Sequence, residues 1–566
     1  MKKYIYKWVL LIGILTFSNC KKDFLEREPL DSMTDDNFWS NEGNVETFSY
    51  RFYREFFMGY GAGYGWGPFW FGSQDMIDDF APTAPAQFPL NVPTNDDANW
   101  NFESVRRANI YISRIPQVPM EEEAIQHWTG IARFFRGMAY ADLVNAYGDV
   151  PWYDQELEED DPELYRPRDP RTGVMDRVLE DFQFAAEHVR ISDGTAKLSV
   201  NKDVVLAYMS KVFLFEGTWL KYHDIDQERA ATYLEAAKWA ADELISSGRY
   251  NLHADYREVF TSTDLSGNAE IILFRQYEAG ILTHSHMSYN NRESQTGISR
   301  NAVESYLCDD GLPIELSPRY QGDRSIEQIL ANRDPRMTAT LRSTLNVQGV
   351  HAPYSSSAYM SHKFLNDGLA TLPEGSGSLN ITDAPVMRYG EVLINYAEAA
   401  AELGNLTQED LDKSINVLRA RGGSEMPPLE VSGNQAMVNG AVYDDPERDP
   451  TVPGIIWEIR RERRIELMFE GQRYNDLRRW KKLEYVDTRG NETMNMGAWI
   501  NKSDYSEPLN DLMLDRTGNE GYIVPAYRAE SQRLFDNDKY YLDPLPIDQI
   551  TLYRENGSEL VQNPGW

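Results

Sequence analysis

Apolar residues recur at helical spacing over most of this chain, and strand-like alternation is rare. The spacing predicts helices over residues 44–58, 102–115, 121–147, 173–189, 204–219 and 228–247. Gly148 and Pro151 end the long third helix, and Gly248 ends the sixth. Small residues mark where neighbours must approach closely. Ala207, Ser210 and Gly217 lie on one helix, and Ala236, Ala237, Ala240 and Ala241 on the next. The pairs 132–147 with 174–189, 204–217 with 233–250, and 389–403 with 408–420 share this helical-hairpin grammar. They resemble degenerate tetratricopeptide repeats, in which two helices bury one another's apolar faces. Their spacing is far from a strict 34-residue period. The expected fold is therefore mostly α, a few repeats packed into a larger globule and not an open solenoid.

Long stretches rich in Gly, Pro, Ser and Asn separate the helices, at 59–99, 261–301, 347–382, 426–453 and 488–538. Loops this long inside compact domains commonly carry binding surfaces. Residues 271–274 and 350–360 are expected to add short strands.

The amino terminus breaks the pattern. Lys2, Lys3 and Lys7 precede an apolar run from Trp8 to Phe17, and Cys20 follows. The run has the length of a signal-peptide core, well short of the ~20 residues that span a bilayer. A cysteine at the cleavage point reads as a bacterial lipoprotein site. Cys20 would become the lipidated first residue, and several acyl chains give stable attachment where one does not. Residues 21–36 form a polar, acidic tether. After processing Cys308 is the only thiol left, which removes internal disulfides and cysteine metal sites.

Charge narrows the partners. A formal net charge of −33 disfavours nucleic acid, whose phosphates need basic stripes, and weighs against an anionic polymer. Aromatic residues reach 12 %, with 33 Tyr and 13 Trp. That excess, with many Asn and Asp, suits a protein that stacks flat rings on sugars.

Four stretches together resemble the SusD/RagB family of glycan-binding outer-membrane lipoproteins. They are Asp23-Phe24-Leu25-Glu26 with Asp36-Asn37-Phe38-Trp39; Met387-Arg388-Tyr389-Gly390-Glu391; Arg460-Arg461-Glu462-Arg463-Arg464 running on to Phe469-Glu470-Gly471; and Asp543-Pro544-Leu545-Pro546 with Asn563-Pro564-Gly565-Trp566. The resemblance implies a SusD-like α-helical globule on about four tetratricopeptide-like pairs, with long irregular loops and a few short strands. It divides the chain into the leader (1–20), the tether (21–36), an N-terminal region with repeats and an aromatic binding loop (37–260), and a C-terminal region with the remaining repeats and tail (261–566). It further implies location at the outer face of the outer membrane, and a SusC-like TonB-dependent transporter as partner, over which the lipoprotein sits and to which it passes captured oligosaccharide.

Candidate chemistry is sparse. Glu458, Glu462, Glu466 and Glu470 recur every four residues, a spacing that places them along one flank of a helix. Paired carboxylates serve glycoside hydrolysis, but Arg460, Arg461, Arg463 and Arg464 interleave here and would hold them ionised. A structural ion network is the better reading. His284-x-His286 lacks acidic or thiol partners nearby, and Asp536-Asn537-Asp538 lacks the remainder of a calcium loop, so no cofactor is assigned. No nucleophile elbow, phosphate loop or zinc-protease motif is present.

The aromatic loop carries the functional expectation. Tyr60, Tyr64, Trp66, Phe69, Trp70 and Phe71 sit among six glycines between Gly59 and Gly72, more rings than burial on a helix or strand calls for. A sugar offers an apolar C–H face to rings and hydroxyls to Asn, Asp, Gln and Arg. The expected contacts to a neutral glycan are Trp66, Trp70, Asp75, Trp100 and Asn101, with Tyr289 and Arg292 from the 277–300 loop. The expected function is non-catalytic glycan capture. A surface glycoside hydrolase, a peptide-binding scaffold and uptake of a non-sugar nutrient such as peptide are the alternatives.

Overall fold

The computed structural model describes residues 38–566 except 71–75, 96–98, 193, 292–296, 351–352, 492–493 and 529–531. Cys20 and the tether lie outside the described residues.

The predicted helices form close to the expected bounds: α1 (Glu42–Phe56), α2 (Glu103–Arg114), α3 (Glu122–Tyr147), α4 (Arg171–His188), α5 (Lys202–Tyr222) and α6 (Gln227–Ser247). Their ends follow local chemistry. Asn201 accepts from the Val204 N–H to cap α5, and Asp226 accepts from the Arg229 N–H to cap α6. Gly248, left-handed at φ 64°, closes α6. Helices α3 and α4 pack as one pair and α5 and α6 as another. The close approach is visible at Gly217, where an added Cβ would meet Leu234 Cγ at 2.7 Å. Ala237, Ala240 and Ala241 are fully buried on the facing side of α6.

The third expected hairpin is only half regular. Helix α7 (Tyr389–Glu402) packs on α5 and α6, but its partner breaks into the single turns Gln408–Asp412 and Ile415–Arg419. Helices α8 (Gly454–Glu466) and α9 (Arg473–Arg479) follow. The first three glutamates of the four-residue series lie on α8. Glu470 does not, because the chain turns away at Phe469 (φ 66°) and Gly471 (φ 80°).

Strands are short. The expected strand at 271–274 is β3 (Ile271–Arg275), antiparallel to β6 (Ala384–Arg388), which feeds directly into α7. Among the described residues of 350–360 only the end is strand, β5 (Tyr359–Ser361), paired with β4 (Leu341–Leu345). A meander of β7 (Glu430–Ser432), β8 (Gln435–Val438) and β9 (Ala441–Tyr443) occupies a stretch expected to be loop. So do β10 (Trp499–Asn501) and β11 (Glu520–Tyr522). These strands run for only three or four residues, too short for an alternating pattern to stand out in the sequence.

Two cores result. The larger fills the spaces between the helices. The smaller lies beneath the loops and contains Tyr60, Phe69, Trp70, Phe80, Phe274, Ile298, Phe364 and Phe469. The long loops are thus a packed layer over the helical scaffold. Among the described residues no helix is long and apolar enough to cross a membrane.

Candidate functional site: an aromatic hairpin on a clamped loop

After α1 the chain makes a minimal antiparallel hairpin, β1 (Gly61–Ala62) with β2 (Gly65–Trp66). Glycine is required at its base, where two backbone segments touch. Gly61 has φ 91°, and a Cβ there would lie 1.9 Å from Gly65 O. A Cβ at Gly67 would lie 1.9 Å from Gly59 O. The turn residues are Gly63 (φ 57°) and Tyr64. The glycines therefore close the hairpin and drive the intervening rings outward.

The rings sort by burial. Tyr64 is 66 % exposed and Trp66 45 % exposed. Tyr289, partly buried, meets Tyr64 edge to face with centroids 6.0 Å apart. Trp66 donates from Nε1 to Ser285 Oγ at 3.2 Å, and the Gly63 N–H donates to Thr283 O at 2.8 Å. Ile281, 77 % exposed, projects from the same 278–289 segment. A ring platform thus stands on two loops that hydrogen-bond each other. Its faces can pack on the C–H face of a sugar, and neighbouring polar groups can bond the rim hydroxyls.

Two expected contacts are corrected. Trp70 is 1 % exposed, wedged edge to face against Phe80 (4.9 Å) and Phe469 (4.8 Å) in the smaller core. Trp100 is 7 % exposed and packs on Tyr147 and Phe102 in the larger core. A ring enclosed on both faces cannot stack on a ligand. Asn101 is exposed, but its Oδ1 accepts from the Glu103 N–H at 2.7 Å at the start of α2. Asp75 and Arg292 lie outside the described residues. Tyr64, Ser285 and Ile281 are not among the expected contacts. The Gly-Tyr-Gly spacing around position 64 is the available signal, since it marks a turn tip.

Past the hairpin the chain is fastened at Asp78 and Asp79 by Arg464 of α8 and Arg473 of α9. Asp78 receives two hydrogen bonds from Arg473 at 2.7 Å, and Asp79 receives one from Arg464 at 2.7 Å. Burial pushes the Asp78 carboxyl up, but Arg464 and Arg473 outweigh it and hold it far below the carboxylate range. Behind these lies a buried network. Arg388 reaches Glu270, Glu466 and Glu470; Arg421 reaches Glu270 and Glu466; Arg336 reaches Asp334, Glu462 and Glu466. Burial alone would raise Glu466, yet Arg421, Arg388 and Arg336 hold it well below its usual value. Held ionised in this way, Glu466 cannot serve as a general acid. The network is structural, as its interleaved sequence predicts.

The paired histidines are structural too. His284 Nδ1 accepts from the His286 N–H, its Nε2 lies 3.0 Å from Thr382 O, and burial pushes its pKa down to about 3. His286 stacks on Tyr60 with centroids 4.5 Å apart. Among the described residues no three His, Cys, Asp or Glu side chains group as metal ligands.

Residues 270–566 match the model of the SusD family, and residues 85–214 match one described as starch-binding associating with outer membrane. The chain is similar to SusD-like protein P2 of Formosa agariphila, 24 % identical over 478 residues, covering 82 % of this chain and 79 % of that one. SusD-like protein P38 of the same organism is 24 % identical over 84 % of this chain and 91 % of its own. Among solved structures, a SusD-like carbohydrate binding protein from Bacteroides fragilis superposes with a TM-score of 0.68 at 21 % identity, over 91 % of this chain and 99 % of that one. A laminarin binding SusD-like protein superposes at 0.55 and 18 % identity, over 93 % and 100 %.

Proposed function

The chain belongs to the SusD family, and on that premise we propose that it is a non-catalytic, surface-displayed lipoprotein that captures neutral glycan and passes it to a SusC-like TonB-dependent transporter. The observation that carries the reading is the Tyr64–Trp66–Tyr289 platform: two exposed rings on a hairpin hydrogen-bonded to the segment that carries the third. Rigid rings at a surface bind without an ordering cost, which suits capture of a flexible chain. Modest affinity per site follows, because an open platform buries only part of its ligand. Lipidation at Cys20 would hold the platform outside the cell. Glu466 and Glu470, held ionised by their buried cationic partners, support a role without bond breaking.

The test is a screen of the soluble form, residues 21–566, on neutral polysaccharides immobilised in affinity gels, with laminarin, xylan, starch and galactomannan as probes. Retardation by at least one, with no reducing ends released, is the expected result. Release of oligosaccharide by purified protein contradicts the non-catalytic reading, and uniform failure to retard contradicts glycan capture. In cells, Cys20→Ala is expected to move the protein from the membrane fraction to the soluble one.

A further inference from the structure

A second concavity lies on the outer flank of α8. Its volume is about 710 Å³. Small-ligand sites typically span roughly 300 to 1000 Å³, so this one is large enough for a short oligomer. One wall is the helix stripe Trp457, Arg460, Arg461 and Arg464, spaced i, i+3, i+4 and i+7. The facing wall includes the 445–450 turn and Tyr485. None of the hairpin platform's residues takes part.

The two accessible rings are pinned by that turn. Trp457 Nε1 donates to Asp445 Oδ2 at 2.9 Å, and Tyr485 Oη donates to Asp449 Oδ2 at 2.6 Å. Both rings are only partly buried, so their edges are fixed while surface remains open. Within the cavity, Arg460 lies over the Trp480 ring at 4.4 Å. It is 5 % exposed, one of its N–H groups bonds Glu402 at 3.2 Å, and its Nε has no hydrogen-bond partner among the described residues.

Charge selects the ligand. Six arginines and six carboxylates line the cavity, which leaves no net charge on its wall. Arg461 pairs with Glu458, Arg464 with Asp79, Arg473 with Asp78 and Arg300 with Glu304. An anion would compete with those carboxylates and meet a chain of net charge −33. A cation would compete with the arginines. Hydroxyls compete with neither, since each can accept from a guanidinium and donate to a carboxylate at once. We propose that this cavity is a second carbohydrate subsite, which takes a neutral di- or trisaccharide segment between Trp457 and Tyr485 and hydrogen-bonds it through the guanidinium and carboxylate groups of its wall. The proposal rests on the glycan-capture reading and adds a site with its own residues. A chain held at two points is retained more strongly than at either alone.

The test uses soluble protein and five trisaccharides: maltotriose, cellotriose, xylotriose, laminaritriose and a galacturonate trimer. Saturation-transfer NMR on wild type, Trp66→Ala and Trp457→Ala reads the two sites apart. At least one neutral trisaccharide is expected to bind Trp66→Ala and to bind Trp457→Ala roughly five-fold more weakly than wild type. Polysaccharide retardation through the hairpin should survive Trp457→Ala and fall in Trp66→Ala, so loss of one site is told from loss of the other. Should the melting midpoint show that Trp457→Ala unfolds, Glu447→Trp fills the mouth from an exposed position and is expected to abolish the same signal. Signals indifferent to Trp457→Ala or Glu447→Trp overturn the proposal. So does silence from every neutral trisaccharide, or preference for the galacturonate trimer.

Discussion

Trp66 and Trp70 sit four residues apart in one glycine-rich loop, yet one is 45 % exposed and the other 1 %. Their substitutions should separate cleanly. Trp66→Ala is expected to leave the melting midpoint within a degree or two of wild type while glycan binding weakens by about 2 kcal/mol, roughly thirty-fold. Trp70→Ala removes the wedge between Phe80 and Phe469. It should cost about 3–5 kcal/mol of stability. Denaturant titration beside affinity electrophoresis reads both quantities. Glu466 gives the counterpart in the ion network. Fully buried and bridged to Arg336, Arg388 and Arg421, it would leave three guanidinium groups undercompensated if neutralised. Glu466→Gln should therefore cost about 3–5 kcal/mol, read from the urea midpoint. At this scale the sequence was informative about chemistry and poor about exposure. Interleaved Glu and Arg announced a network, because opposite charges at helical spacing need partners. Nothing in a Gly-and-aromatic run says which rings turn inward, since that depends on Phe80, Phe364 and Phe469 arriving from distant segments.

Among elements, the hairpin and the repeat pairs make opposite use of small residues. In the hairpin, Gly61 permits backbone contact at a left-handed φ. Gly61→Ala should prevent closure, reduce glycan binding to the level of Trp66→Ala, and cost about 1–3 kcal/mol of stability. In the pair α5–α6, Gly217 permits helix-to-helix contact. Gly217→Val would drive a side chain into Leu234 and the Ala230 carbonyl. The overpacking should cost about 1–3 kcal/mol without touching the binding face. A binding loss in Gly217→Val at temperatures where it stays folded would mean that the helices act on the site beyond supporting it. Helical elements were legible within a few residues, because their 3.6-residue pattern spans many turns. The β7–β8–β9 meander was not, because strands of three or four residues are too short for a period of two to be read.

The whole molecule responds to pH through buried groups, two of which, His284 and His286, flank Ser285 beneath the platform. Burial pushes His223 down to about 4 and His284 to about 3, and lowers His286 as well. Below about pH 6.5 the unfolded chain protonates these imidazoles while the folded chain does not, so the unfolded state binds more protons and stability falls as pH falls. The carboxylates act at lower pH. Burial raises Glu398, but Arg479 and Arg463 overcome it and pull its pKa to about 2. Glu398 therefore stabilises the fold above its unfolded pKa of about 4.3, and that contribution is lost as pH falls towards the folded value. Desolvation raises Asp142 to about 7 and Asp383 to about 6, which opposes the histidines between neutrality and about pH 4.5, so the clear expectation is a steep decline of the melting midpoint below about pH 4.5. A midpoint that holds steady from about pH 4.5 down to about 3 would contradict the carboxylate argument. The overall division of labour was legible before the fold: motifs from Met387 through Gly471 marked the scaffold, and the glycine-rich loop marked the face. The smaller core that joins them was not, because it is assembled from several separate loops.

The central claim is that rings on a clamped hairpin hold carbohydrate. It is tested most directly by isothermal titration of the polysaccharide best retained in the gel screen into soluble wild type and the Tyr64→Ala/Trp66→Ala double variant. With matched melting midpoints, the account predicts a measurable wild-type isotherm and a loss of roughly thirty-fold or more in the variant. Equal affinity in the two proteins would contradict it.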